Sequence, residues 1–596
     1  MAVPIEELAK EWLRLDKDPD TQDEIYQLLN ANNKGELELR LRNRMTFGTA
    51  GLRAKMQAGF GFINSLTIIQ TSQGLAEYLL ANVPDVKKRG VVIGRDARHN
   101  AEKFMRLAIT AFVAKGIRVY CYTLPVHTPL VPFGVNYLNA AAGVMLTASH
   151  NPAQDNGYKV WWSNGCQIIP PHDTGIAAAI EQNLEPLSWD DSIIENTFLV
   201  EGELGQTRDA YYQAVAAAAT IHHQPDFRHS KVRFVYTPLH GVGLPFLEHV
   251  ISEMEIPAKV LSTGMSVVAE QAATDPNFPT VKFPNPEEKG ALDLAIHTAD
   301  HAGVTLILAN DPDADRFAAA EKVEGKWHQF TGNQIGVLLA AHVYETYPSD
   351  ENHPRSNLTL ISSTVSSQMI SFCAKAEGVH HVETLTGFKW IGNKALELEA
   401  EGYDVRYGYE EALGYMSPAV VHDKDGIVAA AIFLTAVERW RKQGMTPFQK
   451  LQSMYQTYGY FADGNTYLIS PSAEVTKEVF ASIRKLGVPH KYPSYLGHFK
   501  IHRWRDLTEG FDTAGHNHVP DLPVSKDSEM ITVELEHNTR FTMRGSGTEP
   551  KIKIYVDAKG DTMESAQKRA NEVRNEIVKT WFDPEKWGFK LPFQPE

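Results

Sequence analysis

The chain has 596 residues, 43% of them hydrophobic and 22% charged, which is typical of a globular protein built from several domains. No stretch reaches the roughly 18 uninterrupted apolar residues that a membrane span needs. The formal net charge of −15 argues against broad attraction to nucleic acid or anionic lipid. The only cysteines are Cys121, Cys166 and Cys373, without metal-type pairing, so we predict a reducing compartment, the cytoplasm.

The order of predicted elements indicates three α/β domains followed by an α+β domain. Residues 5–45 have the apolar spacing of helices. Buried strands are then predicted at 90–96, 141–149, 232–238 and 357–364, each followed by a turn and a helical stretch, which is typical of parallel α/β sheets. Alternating strands at 531–556 and a charged helix at 562–582 predict a smaller α+β domain. We place the domains at 1–220, 221–330, 331–460 and 461–596.

Four polar loops follow predicted strands, where ligands bind in open α/β sheets. The first is Thr147-Ala-Ser-His-Asn-Pro152, with Asp155-Asn-Gly-Tyr-Lys159 close behind. We expect Ser149 to be exposed in this turn, and a serine can carry a phosphoryl group if a base or a metal activates it. A turn that merely caps the next helix explains the same residues.

The second loop is Asp311-Pro-Asp-Ala-Asp315-Arg316, after an apolar strand. Three carboxylates at alternate positions repel one another unless a cation lies among them, and their hard oxygen atoms suit Mg²⁺. The glycine and the distal glutamate of an EF-hand loop are missing. The alternative is a solvated acidic turn, which burial beside an apolar strand would make costly.

The third loop is Tyr409-Glu-Glu-Ala-Leu-Gly414. The adjacent carboxylates of Glu410 and Glu411 can accept hydrogen bonds from vicinal sugar hydroxyls. Exposed Glu-Glu pairs are common on protein surfaces, so the residues alone leave both interpretations open.

The fourth loop is Arg544-Gly-Ser-Gly-Thr-Glu-Pro550. Glycines that expose backbone N–H groups, two hydroxyls and a guanidinium are the donors of a phosphate site, although a simple Gly-rich hairpin turn is the alternative. Two more basic residues lie near polar turns: Arg53, in Phe47-Gly-Thr-Ala-Gly-Leu-Arg53, and Lys424, in His422-Asp-Lys-Asp-Gly426. Taken by itself, each is interpreted as a surface charge. No NTPase phosphate loop, complete dinucleotide fingerprint or zinc-protease motif occurs.

Taken in order, these motifs resemble the α-D-phosphohexomutase superfamily over about residues 45–560. Two further segments, Ala153-Gln-Asp-Asn-Gly-Tyr-Lys-Val160 and Leu385-Thr-Gly-Phe-Lys-Trp-Ile-Gly392, are similar to its phosphoglucomutase-2 branch, in which eukaryotic members are phosphopentomutases (phosphoribomutases). The resemblance implies three similar mixed α/β domains and a C-terminal α+β domain of the TATA-box-binding-protein-like type around a central cleft.

The resemblance also implies an intramolecular phosphotransferase, an isomerase, that works through a phosphoserine and a sugar bisphosphate intermediate or activator. Ser149 would be the phosphoserine, and an oxygen on it would bind Mg²⁺ together with Asp311, Asp313 and Asp315. The residues implied in catalysis are Ser149, His150, Lys159, Arg316 and Lys424, with His150 and Lys424 as candidate proton carriers. The residues implied in substrate binding are Arg53, Thr386, Glu410, Arg544, Ser546, Gly547 and Thr548.

One departure from the glucose-specific pattern bears on the substrate. That pattern has Glu-Glu-Ser in the sugar loop, whereas this chain has Ala412 at the third position. The loss of a sugar-contacting hydroxyl favours ribose and deoxyribose phosphates, with some activity on glucose phosphates.

Other functions fit the same motifs. A phosphoglucomutase and a glucose-1,6-bisphosphate synthase share them, and a Mg²⁺-dependent phosphatase would let water hydrolyse the serine intermediate. A non-catalytic scaffold ranks last, because Ser149 and the three aspartates are all retained. We expect small sugar phosphates as partners, no nucleic acid or membrane, and a monomer or weak homodimer.

Overall fold

The structure is a computed structural model that describes residues 3–202, 204–220, 230–254, 256, 264–351, 353–487, 492–526, 528–545 and 551–592. The chain divides into two compact units. The first unit is Met1–Ile361 with Gly387–Pro447, and the second is Ser362–Thr386 with Phe448–Glu596. Among the described helices, none is both long and apolar enough to cross a membrane.

Three helices precede the first sheet, as the spacing in residues 5–45 predicts: α1 (Ile5–Leu15), α2 (Pro19–Asn30) and α3 (Lys34–Leu41). Their apolar faces meet in a small core where the fully buried Trp12 lies edge-on to Phe60, with 5.1 Å between ring centroids. The carboxylate of Asp18 accepts a hydrogen bond of 2.6 Å from Lys103 Nζ, on a helix of the sheet domain. The helices therefore pack on the first α/β domain.

The first sheet has six strands: β1 (Leu52–Lys55), β2 (Val91–Arg95), β3 (Val119–Cys121), β4 (Ala142–Leu146), β5 (Asp155–Trp162) and β6 (Val200–Glu201). Their order is β1-β5-β4-β2-β3-β6. Its helices are α4 (Ser65–Asn82), α5 (Val86–Arg89), α6 (Ala101–Ala114), α7 (Leu130–Tyr137), α8 (His172–Glu181) and α9 (Gly205–Thr220). Strands β2 and β4 are parallel and buried throughout, as expected of the interior of such a sheet, whereas β5 is antiparallel to β4.

The second sheet has five strands: β7 (Phe234–Thr237), β8 (Met265–Val267), β9 (Leu306–Asn310), β10 (Phe317–Val323) and β11 (Lys326–Gln329). Their order is β11-β10-β9-β7-β8, with β7, β8 and β9 parallel and β10 antiparallel to β9. The helices here are α10 (Gly243–Glu253), α11 (Ala269–Ala272) and α12 (Asp293–Ala302).

The third α/β region follows the same pattern. Its strands are β12 (Leu358–Ser363), β13 (His380–Thr384), β14 (Asp404–Glu410) and β15 (Gly414–Met416). Its helices are α13 (Gly332–Thr346), α14 (Met369–Glu377), α15 (Phe388–Ala400) and α16 (Gly426–Lys442). Strands β12, β14 and β15 lie side by side in that order, while β13 and α14 belong to the second unit.

The second unit contains an antiparallel sheet with helices, as predicted for the α+β domain. The strands are β16 (Tyr460–Asp463), β17 (Thr466–Ile469), β18 (Tyr495–Leu496), β19 (Phe499–Asp506), β20 (Phe511–Asp512), β21 (Met530–Leu535), β22 (Thr539–Gly545) and β23 (Lys551–Gly560). The helices are α17 (Pro447–Tyr458), α18 (Ala473–Arg484), α19 (Met563–Glu576), which continues into a π-helical segment at Ile577–Phe582, and α20 (Pro584–Trp587). Side chains of α18 and α19, such as Phe480 and Val573, share one core with those of β21–β23.

The three α/β regions present their polar loops in the same way. Residues 147–154 join β4 to β5, residues 311–316 join β9 to β10, and residues 411–413 join β14 to β15. In each case the second strand is the antiparallel neighbour of the first. The sheets are therefore mixed, and each loop is held between two paired strands. The predicted fold class, three similar α/β domains and an α+β domain, is confirmed, whereas the domain boundaries stay predictions.

Candidate active site

Ser149 lies in the loop between β4 and β5 and is 2% exposed. The expectation of an exposed serine is wrong, because the turn is hydrogen-bonded to Arg98, after β2, and to Asp311 of the second polar loop. Its φ is 55°, in the left-handed region, which costs a non-glycine residue about 1–3 kcal/mol. Such a conformation persists only where the surroundings enforce it.

The Ser149 side chain points to the aspartate loop. Its Oγ donates a hydrogen bond of 3.0 Å to Asp311 Oδ2 and lies 3.4 Å from His150 Nδ1. Burial, and then the charges of Arg316 and Arg53, lower the pKa of His150 well below its ordinary value. The imidazole is therefore neutral near pH 7.

The carboxylates of Asp311, Asp313 and Asp315 are fully buried, and one oxygen from each lies within 4.8 Å of the others. Burial and the two neighbouring carboxylates raise the pKa of Asp311. Burial also opposes ionisation of the other two, but Lys159 reverses this and lowers their pKa values. Its Nζ contacts Asp313 Oδ2 at 2.7 Å and Asp315 Oδ2 at 2.9 Å.

This donor set fits a hard divalent cation. The Oδ1 atoms of Asp313 and Asp315 are buried without a hydrogen-bond partner, and the Ser149 hydroxyl adds a fourth oxygen beside Asp311. Buried oxygen atoms of this kind are the ligands that Mg²⁺ accepts. Within the part of the chain that the structure describes, this is the one cluster of acidic, histidine or cysteine side chains with metal-ligand spacing.

Lys424 is brought to the aspartates by the segment before α16. Its Nζ lies 3.0 Å from Asp315 Oδ2. The preceding Asp423 accepts a hydrogen bond of 2.7 Å from Trp161 Nε1, on β5. A Cβ on Gly426 would lie 2.2 Å from the Arg316 carbonyl, so only glycine allows this approach. Burial would lower the pKa of Lys424, but Asp315, Asp423 and Glu410 raise it, so the ammonium holds its proton.

Arg316 links the aspartate loop to the third polar loop. Its backbone N–H donates to Asp311 Oδ1 at 3.0 Å, and its Nη1 donates to the Ala412 carbonyl at 2.9 Å. Glu410, the last residue of β14, is 8% exposed. Burial, and then Glu411, raise the pKa of Glu410 to about 7 against the opposing charges of Lys424 and Arg316.

The other predicted site residues are distributed differently. Arg53, on β1, is exposed and donates to Asn151 Oδ1 of the serine loop at 3.2 Å. Thr386 and Arg544 belong to the second unit, where the Thr386 hydroxyl is buried without a hydrogen-bond partner and Arg544 is half-buried on β22. Ser546, Gly547 and Thr548 lie outside the described residues.

Two groups of residues at this site were missed in the sequence. Asp96 and Arg98, just after β2, are bonded to the serine loop, and Asp423 positions the Lys424 segment. The signal for the first group was present, because Arg95-Asp-Ala-Arg98 is a charged cluster at the end of a buried strand. Asp423 gave no separate signal, since its partner Trp161 is remote in the sequence.

Comparison with known proteins finds matches along the whole chain. Three family models match, those of phosphoglucomutase/phosphomannomutase alpha/beta/alpha domains I (residues 44–186), II (209–325) and III (331–458). The chain therefore belongs to the phosphoglucomutase/phosphomannomutase family, and the resemblance drawn from its motifs is confirmed.

Individual relatives are similar over nearly their full length. The chain is 44% identical to the phosphoribomutase of Saccharomyces cerevisiae, covering 98% of this chain and 97% of that one. It is 41% identical to the phosphopentomutase of Homo sapiens (97% and 96%) and 37% identical to the human glucose 1,6-bisphosphate synthase (97% and 94%). The fold matches the open form of the phosphoglucomutase parafusin from Paramecium, with a TM-score of 0.63 and 19% identity over 89% of this chain and 95% of that one.

The raised pKa of Glu410 predicts a pH-dependent cost to stability. The unfolded chain releases this proton near its ordinary pKa of 4.5, whereas the folded protein keeps it up to about pH 7. Above pH 7 the buried charge therefore lowers the free energy of unfolding by about 3 kcal/mol. We expect Glu410→Gln to raise the midpoint of thermal unfolding at pH 8, and most of this gain to disappear at pH 5.

The control is Glu401→Gln, at an exposed glutamate that follows α15. It should change the midpoint little at either pH. A Glu410→Gln midpoint that differs from wild type by the same amount at pH 5 and pH 8 would contradict a raised pKa at this residue.

Proposed function

We propose that this chain is a sugar-phosphate mutase that interconverts ribose or deoxyribose 1-phosphate and the corresponding 5-phosphate, with some activity on glucose phosphates. One observation carries the proposal: the buried hydroxyl of Ser149 lies 3.0 Å from Asp311, in a loop of three carboxylates that two lysines and an arginine surround. A nucleophile beside a cation site and fixed positive charges is suited to phosphoryl transfer.

The proposed reaction passes the phosphoryl group from phosphorylated Ser149 to the free hydroxyl of a bound sugar monophosphate. The bond from phosphorus to Ser149 Oγ breaks, a bond from phosphorus to the sugar oxygen forms, and the hydroxyl proton ends on Ser149 Oγ. The resulting bisphosphate then returns its other phosphate to Ser149 by the reverse of this step. The product is the isomeric monophosphate, and no external donor is consumed.

The described residues have distinct roles in this proposal. His150 is the proposed proton carrier, because its Nδ1 lies 3.4 Å from Ser149 Oγ. Lys424 retains its own proton and acts as a fixed charge. Lys159 and Arg316 contact the aspartates and would face the phosphoryl group. Mg²⁺ bound to the three aspartates would place positive charge on the phosphoryl oxygens.

The substrate proposal depends on the third loop and on the relatives. The Ala412 side chain has no hydroxyl to contact a hexose, and its carbonyl is already bonded to Arg316. The relatives named phosphoribomutase and phosphopentomutase are more similar to this chain than the bisphosphate synthase is. Arg53 and Glu410 would bind the sugar phosphate, and the roles of Thr386, Arg544, Ser546, Gly547 and Thr548 stay predictions.

We further propose a cytoplasmic location, which the small number of cysteines in the sequence, three and widely spaced, supports. The sugar bisphosphate is proposed both as the intermediate and as the activator that phosphorylates Ser149. The monomer or weak homodimer stays a prediction.

The first prediction from this proposed function concerns phosphate on Ser149. Mass spectrometry of the protein, as isolated or after incubation with a sugar bisphosphate, should find phosphate on this residue. Ser149→Ala should abolish isomerisation while leaving the thermal unfolding midpoint close to that of wild type. The matched control Ser192→Ala, at an exposed serine, should keep full activity.

A wild-type protein that isomerises sugar phosphates and never carries phosphate on Ser149 would overturn the scheme. Release of inorganic phosphate without isomer formation would instead identify a phosphatase. Net synthesis of bisphosphate from an external phosphoryl donor would identify a bisphosphate synthase, the activity named for one relative.

The second prediction concerns Ala412. The kcat/KM for ribose 1-phosphate and deoxyribose 1-phosphate should exceed that for glucose 1-phosphate. Ala412→Ser restores a hydroxyl at the sugar loop, so it should raise kcat/KM for glucose 1-phosphate relative to ribose 1-phosphate by up to about tenfold, the effect of one hydrogen bond. An unchanged ratio would show that this position does not select the sugar.

A further inference from the structure

We propose that Arg98 and Asp96 are positioning residues that hold the Ser149 peptide in the orientation required for phosphoryl transfer. This inference rests on the proposed function, since it concerns the same serine. Neither residue contacts the aspartate loop through any described hydrogen bond, so both would act through the serine loop.

All the terminal donors of Arg98 are bonded to the serine loop and to Asp155, the first residue of β5. Its Nη2 donates to the carbonyls of Ser149 at 2.5 Å and Asn151 at 2.6 Å. Its Nη1 donates to the carbonyls of Pro152 at 2.8 Å and Asp155 at 3.1 Å. Because a guanidinium is planar and rigid, four carbonyls bonded to it cannot move independently.

Asp96 holds the backbone N–H of Ser149 through the hydroxyl of Thr147. Its Oδ2 accepts a 2.6 Å hydrogen bond from Thr147 Oγ1, and that oxygen accepts the Ser149 backbone N–H at 2.9 Å. Asp96 Oδ2 also lies 3.2 Å from Arg98 Nε, and both side chains are 1% exposed. The N–H and the C=O of Ser149 are therefore both tied to one buried ion pair.

These hydrogen bonds account for the backbone conformation of Ser149. A buried serine at a φ of 55° relaxes unless both of its peptide groups are held. The ion pair is also shielded from water, because the Phe278 ring lies over the Arg98 guanidinium, 5.1 Å from the ring centroid. The same ring packs near Ala153 of the serine loop. The serine oxygen is thus aimed at the aspartate loop by a rigid support instead of by its own turn.

Arg98→Lys is the decisive substitution. Lysine keeps the positive charge beside Asp96, but its three N–H groups radiate from one atom and cannot hold four carbonyls. A displacement of about 1 Å at a reacting atom can reduce the rate by about 100-fold. We therefore expect kcat to fall by about 100-fold and KM for the sugar phosphate to change by less than about threefold, because substrate contacts are untouched.

The control is Arg95→Lys, at a buried arginine three positions earlier, whose described side-chain bonds go to Glu102, Thr123 and the Asp96 carbonyl and not to the serine loop. It should retain kcat within about threefold of wild type. A folded Arg98→Lys protein with the same kcat as this control would overturn the inference.

A second pair of variants decides the matter if Arg98→Lys does not fold. Thr147→Val keeps the shape of the side chain and removes the oxygen that joins Asp96 to the Ser149 N–H, so it should lower kcat with little change in KM. Thr147→Ser restores that oxygen and should recover most of the rate. Equal rates for the two Thr147 variants would also overturn the inference.

The phosphate content of Ser149, measured on the same preparations, separates this inference from the proposed function. A wild-type protein that carries no phosphate on Ser149 would contradict the proposed function. If the wild-type protein carries phosphoserine and a folded Arg98→Lys or Thr147→Val variant has the wild-type kcat, only the positioning role is contradicted.

Discussion

The charge balance of the buried aspartate loop constrains the first unit more than any other interaction. Three carboxylates at the end of β9 are out of contact with water, and unpaired buried charges are strongly destabilising. Lys159 and Lys424 must therefore come to them from the strand β5 and from the segment before α16. Because the buried carboxylates need cationic partners, parts of the chain more than one hundred residues apart in sequence lie in contact.

The same constraint explains why the site is built from hairpin loops. Each of the three loops joins two paired strands, so a short sequence can hold residues in conformations they would otherwise avoid. Ser149, Ala314 and Leu413, one in each loop, all have positive φ values without being glycine. The strain and the buried carboxylates lower stability, and they are retained where a site must be rigid and charged.

Much of this arrangement could be predicted from the sequence because the chemistry is local. Residue type and spacing are enough to recognise the Asp-x-Asp-x-Asp pattern after one apolar strand and the serine turn after another. The burial of Ser149 could not be predicted, because it depends on Arg98 and Asp311, which are 51 and 162 positions away. Arg98 resembles any arginine after a strand until its four carbonyl partners are seen.

We expect the three aspartates and the Ser149 oxygen together to hold one divalent cation. A crystal structure of the protein in Mn²⁺, which shares the octahedral oxygen preference of Mg²⁺ and scatters anomalously, tests it directly. We expect one anomalous peak within about 2.0–2.3 Å of an oxygen from each of Asp311, Asp313 and Asp315, with a Ser149 oxygen also coordinated. A loop that stays empty while Mn²⁺ binds elsewhere, or a Ser149 side chain turned away from Asp311, would contradict it.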